Sequence, residues 1–182
     1  MQISIVSAGS EFDAERGQFT VPIHTYKDAA LVNVIPAQRA GTIAIDAGLA
    51  GNNGYCTTDP FSMRSQIDKS IFVLGDAAVA GDMPKSAFAA GSQAAVVARA
   101  IAAELLGNPA RPNASYANKC WSLIAASDSV FVGGRYGATP NKIKQVTSEI
   151  STLKDTPASR RFNYEDSASW YSKMTDEMFA RV

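Results

Sequence analysis

The chain has 182 residues, of which 46% are hydrophobic, enough to bury a real core in one domain or two small ones. Seventeen basic and seventeen acidic residues cancel. No global field therefore draws nucleic acid or an anionic membrane, and no basic patch is interleaved with aromatics. The Ala-rich stretch before Leu106 is broken by Arg99 and Glu104 and falls short of the roughly 18 uninterrupted apolar residues of a membrane span. The two cysteines, Cys56 and Cys120, lack CxxC or metal spacing, so neither a disulfide scaffold nor a dedicated metal site is expected. The first twelve residues lack the basic region of a leader, which leaves the polypeptide, taken literally, where it is made.

In chain order, residues 2–5 alternate polar with apolar and predict a short strand ending before Gly9. Residues 19–21 and 30–35 are the next strand candidates, the second a buried-type run stopped by Pro36. His24, the one histidine, lies in the connection between them and reads as a surface or hairpin residue. A turn at residues 36–41 leads into a short helix over residues 42–47. Residues 48–54 are turn-rich and deliver Cys56, which on its residues alone reads as a buried, inert thiol.

The centre of the chain is residues 70–106. The apolar run 71–74 predicts a buried strand closed by Gly75-Asp76, where glycine lets backbone approach a ligand and the Asp76 carboxylate stands at the strand's carboxyl end. Met83, Pro84, Lys85 and Ser86 lead into a helix over residues 86–106, in which nine of twenty-one residues are alanine. The helix start offers unpaired N–H groups and a partial positive charge to an anion or a polarised carbonyl. Strand, turn, loop and helix together suggest a flavin site, or else an ordinary crossover whose Asp76 caps a turn.

Gly107 and the prolines at 109 and 112 stop the helix. Beyond them, residues 116–126 and 129–132 read as short strands or a helix–strand unit, with Cys120 an inert core thiol. Gly133-Gly134 and Gly137 are not a G-x-G-x-x-G fingerprint and read as a hairpin turn. Residues 159–182 end in a helix carrying Trp170, Tyr171, Met174, Met178 and Phe179, the last three spaced as a docking face.

The stretches FVLGDAA and MPKSAFAAGSQAAVVARAI, with LVNVIPAQRAGTIA, GYCTTDP, YANKCWSLIA and SWYSKMTDEMF, resemble the flavoprotein subunit of flavocytochrome c sulfide dehydrogenase. That family lies in the two-dinucleotide-domain, sulfide:quinone oxidoreductase-like superfamily. The resemblance runs from about residue 29 to 179 and implies an α/β fold. Residues 1–110 would be the C-terminal part of an FAD/NAD(P)-binding two-dinucleotide-domain fold, and residues 111–182 a small α+β C-terminal flavin-binding domain. It implies FAD as cofactor, sulfide as substrate, a c-type cytochrome partner and a periplasmic setting. It makes Cys56 one half of a redox-active disulfide, and Gly75, Asp76, Met83, Pro84, Lys85, Ser86, Pro36 and Gln38 the flavin contacts. Asp76 would bond the ribityl chain or the diphosphate, and the helix start would face the flavin's N1–C2=O edge. Lys85 would add a charge there or stay solvated, and Trp121 or Trp170 would line the pocket or belong to the core.

Two features depart from the family. Ala37 replaces the second proline of its NVIPPQ-type motif, and no first FAD fingerprint occurs anywhere in these residues. The chain is therefore expected to be the C-terminal portion of such a flavoprotein. Other readings are a quinone- or NAD(P)H-linked relative, which the charged terminal helix disfavours as a membrane-bound form, or a truncated, non-catalytic binding module.

Overall fold

The computed structural model describes residues 3–6, 12–13, 18–19, 22–26, 40–108 and 114–180. The chain divides into two compact units, Met1–Gln38 and Arg39–Val182. In the first, β1 (Ile3–Val6) pairs antiparallel with β4 (Pro22–Tyr26), and β2 (Phe12–Asp13) with β3 (Gln18–Phe19). The expected strand at 30–35, and with it Pro36 and Gln38, lies outside the described residues.

The second unit opens with the short helix α1 (Thr42–Asp46) and β5 (Cys56–Thr57). A 3-10 turn at Gly75–Ala77 runs straight into β6 (Ala78–Val79), which pairs in parallel with β5. The predicted strand at 71–74 does not form. Its backbone groups go instead to the irregular loop before it, Val73 N–H to the Met63 carbonyl (3.0 Å) and Ser65 N–H to the Ile71 carbonyl (2.8 Å), with one bridge between Phe72 and Arg64. Apolar run and burial coincide, since Phe72, Val73 and Leu74 pack on the core, but no neighbouring strand offers a ladder. The strand of this region therefore follows the Gly-Asp turn rather than preceding it.

Helix α2 (Ala87–Leu105) forms as its alanine content dictates. Ser86 caps it, the hydroxyl accepting from Ala89 N–H at 3.1 Å, and Gly107 (φ +69°) ends it in the left-handed conformation that glycine permits. Next come β7 (Ser115–Ala125), β8 (Asp128–Ala138) and β9 (Ile143–Ile150), one antiparallel sheet in sequential order. The first two are far longer than the short strands expected, joined by a turn at Ala126 and Ser127. The glycines at 133, 134 and 137 sit inside β8 and do not make the turn. A Cβ on Gly133 would lie 2.8 Å from the Asn118 carbonyl oxygen and 2.5 Å from the Phe131 ring, and one on Gly134 2.5 Å from the Thr147 carbonyl oxygen. At these two, neighbours come too close for a side chain, whereas Gly137 has ordinary space beside it.

Helix α3 (Pro157–Phe179) starts on a Thr156 cap with Pro157 in the first turn. It lies on the sheet through Lys119–Asp166 (2.9 Å) and Arg160–Asp128 (3.1 Å). Between α2, β7, β8 and α3 the rings of Phe88, Trp121, Phe131 and Trp170 form one cluster, with centroids 5.6–6.3 Å apart. A single core joins Met63, Ala78, Met83, Ala89, Val96 and Val97 to Ala114, Tyr116, Tyr136 and Ile143. The boundary expected between residues 110 and 111 falls within this unit.

Candidate functional site

Gly75 holds φ +69°, a conformation in which a Cβ is costly, and the turn it makes leans on α2, Ala90 being the nearest atom to its missing Cβ. The turn is tied from two sides. Its Gly75 N–H donates to Gln93 Oε1 at 2.7 Å, from within α2. On the other side, the Lys85 ammonium donates to the carbonyls of Asp76 and Ala78, the latter at 3.0 Å, and lies 4.4 Å above the Tyr55 ring. Lys85 is thus neither a free charge nor merely solvated; it staples the turn to the loop before α2.

The Asp76 side chain is exposed, and no hydrogen bond or ion pair uses its carboxylate among the described residues. The first two amides of α2, those of Ala87 and Phe88, have no acceptor within the helix. One unengaged acceptor and the positive pole of a nineteen-residue helix are therefore presented within one loop's length. Met83 faces inward, 6% exposed and part of the core, while Pro84 is exposed. Any contact from Met83 to a ligand here falls to its backbone.

Ser86 joins this region to the sheet. Its hydroxyl donates to Asn118 Oδ1, and Asn118 is 3% exposed with its Nδ2 3.6 Å from Cys120 Sγ. Ala117 N–H donates to Ser92 of α2 at 2.9 Å one residue earlier. Asn118 and Gln93, both buried polar groups, were not singled out by sequence reasoning. A polar residue on an expected core face was the available signal for each.

The two thiols differ. Cys56 is completely enclosed, 0% exposed, and unpaired. Cys120, expected in the core, is only half-buried. It lines a cavity of about 580 Å³ with Val130, Val132, Ile150 and Leu153 of the sheet side and Arg160 of α3. Trp121 and Trp170 belong to the aromatic cluster. Among the described residues no group of three or more His, Cys, Asp or Glu could hold a metal, and no helix is long and apolar enough to cross a membrane.

Helices, turn and sheet thus define a protein of mixed helix and strand, with the Gly-Asp turn, the α2 start and the sheet held together. Residues 112–179, the sheet and α3, match the family model described as flavocytochrome c sulphide dehydrogenase, flavin-binding. The match supports the resemblance to that flavoprotein subunit and is consistent with FAD as cofactor.

The residues fit the flavin half of FAD. Asp76 can accept from hydroxyls, and the α2 amides can donate to an electron-rich ring edge. For the diphosphate they offer no glycine-rich fingerprint, and the Lys85 ammonium is already committed to two carbonyls.

Proposed function

We propose that this chain forms the flavin-side part of an oxidoreductase that takes two electrons from sulfide and passes them through FAD to a c-type cytochrome, in the periplasmic setting of the family it resembles. The observation that carries the reading is the Ser86–Asn118 bond. It fastens the helix start expected to face the flavin onto the sheet that matches a flavin-binding family.

FAD supplies a two-electron acceptor when bound. The chain's own groups bind and orient it. Asp76 would accept hydrogen bonds from the cofactor's ribityl hydroxyls, and the Ala87 and Phe88 amides with the helix dipole would favour negative charge on its ring edge. Gly75 and Lys85 hold the turn in place, while Pro84 and the Met83 backbone shape the approach. Pro36 and Gln38 are retained as proposed contacts by resemblance.

Resemblance points to Cys56 as the redox thiol, but its complete enclosure favours a second reading. Adding a cofactor can only bury it further, whereas Cys120 opens onto a cavity and lies one hydrogen-bonded residue from Ser86. Iodoacetamide applied to the folded chain is expected to alkylate Cys120 and to spare Cys56 until urea is added. Alkylation of Cys56 in the native protein would restore it as the accessible thiol.

Titration of the chain with FAD, followed by flavin absorbance and fluorescence, tests the cofactor reading. Asp76→Ala should weaken binding about tenfold or more, the value of a hydrogen bond to a charged acceptor. A chain that leaves the flavin spectrum unchanged at saturating FAD would defeat the reading.

A further inference from the structure

We infer that Gln93 is a positioning residue for the flavin-binding turn, setting the spacing between the Asp76 carboxylate and the start of α2; this rests on the flavin reading of that turn. Gln93 is 2% exposed in the middle of α2, among positions otherwise filled by Ala89, Val96 and Val97. Enclosing a primary amide there is unfavourable unless its groups are used, and an aliphatic side chain of the same size would serve packing better. The amide is used on the site. Its Oε1 takes the Gly75 N–H at 2.7 Å, and its Nε2 lies 3.8 Å from Met83 Sδ. The Gly75 N–H requires an acceptor, which fixes which way the amide points.

One side chain therefore touches both segments that frame the site, the backbone of the Gly75–Asp76 turn and the Met83 side chain of the loop before α2. Ala90, three residues earlier on the same helical face, supplies the surface against which the turn rests. With Lys85 drawing on the Asp76 carbonyl from the opposite side, the backbone of the turn is held while its carboxylate stays exposed. Gln93 touches no ligand itself; it acts through Asp76.

The test compares Gln93→Leu and Gln93→Glu with the unaltered chain by amide exchange at Gly75, FAD titration and circular dichroism. Leucine removes the acceptor and should speed Gly75 exchange about tenfold and raise the FAD Kd about tenfold. Glutamate keeps an acceptor and should restore both to within about threefold. In an Asp76→Ala background, Gln93→Leu should change the Kd little further, because the residue it positions is gone. Gln93→Met, of similar length and without the acceptor, replaces leucine if that variant does not fold. An unchanged Kd in the acceptor-less variant, or unchanged Gly75 exchange, overturns the inference while leaving the flavin reading intact. An unaltered chain that fails to bind FAD overturns the flavin reading and the inference with it.

Discussion

At the scale of single residues, the tightest site among the described glycines is one that no motif marks. Gly81 has φ +60°, and a Cβ there would strike the Ile143 carbonyl oxygen and lie 3.0 Å from its amide nitrogen. The loop can therefore press against β9 only while residue 81 has no side chain. Gly81→Ala adds a clash with backbone to a strained φ, and is expected to lower stability by roughly 2 kcal/mol or more in urea unfolding. An alanine variant as stable as the original would show that the loop can stand off from β9 at no cost. Gly75 differs in kind. Space exists beside it, so the penalty of a substitution there is conformational alone, about 1–2 kcal/mol. Sequence alone signals that a glycine matters at the Gly-Asp turn, because Asp follows it. It gives no such signal at Gly81, whose partner lies sixty-two positions away in the chain.

At the scale of elements, the helices were legible, while strands were legible only in part (β1 and the position of β7, not the length of the hairpin or β9), and the reason is the source of each signal. Helix α2 carries its information locally, in alanine content, the Ser86 cap and the Gly107 stop, and α3 in its Thr156-Pro157 start. The long hairpin and β9 depend on pairing between distant residues. In β9 only Ile143 is buried, so the strand has no alternating pattern to read. Its outer edge is instead engaged by the loop before α2. Asp82 N–H donates to the Ile143 carbonyl (2.9 Å), while the Asp82 carboxylate accepts from Gln145 N–H (3.1 Å) and from Lys142 (2.6 Å). Those bonds, with Lys142 contributing most, hold the Asp82 carboxyl below its ordinary value of 3.8. A carboxyl depressed on folding lends stability that is complete above its unfolded value and is lost as pH falls through the folded one. Thermal melts should therefore show a drop beginning below about pH 4, and Asp82→Asn should flatten that part of the profile. An identical acid limb in the asparagine variant would assign the drop to other carboxylates, with Asp155, also held low by Thr152 and Ser151, the first to examine.

At the scale of the whole molecule, the proposed flavin site is assembled by a core that runs across the change in composition near residue 110. Composition shifts where exposed surface shifts, but the core follows contact, and the largest fully buried side chain among the described residues is Tyr116. It is 1% exposed, and its hydroxyl donates to the Pro60 carbonyl at 2.7 Å, tying β7 to the loop that precedes the Gly-Asp turn. Burial favours the neutral phenol and pushes its pKa above the usual 10.0, with the charge of Asp59 adding to the effect. A phenol raised on folding lends stability that is complete below about pH 10 and drains away as pH rises toward the folded value. Tyr116→Phe keeps the ring, leaves the Pro60 carbonyl without its donor, and should cost about 1–3 kcal/mol at neutral pH. Both tryptophans lie in the sheet-and-α3 portion, whereas far-UV circular dichroism also reports α2. If one core serves both portions, the two signals unfold together in urea, and the phenylalanine variant moves both midpoints by the same amount. Separate midpoints, or a shift in one signal alone, would mean that the turn and helix start are stable apart from the sheet, and that the Ser86–Asn118 bond joins two independent pieces.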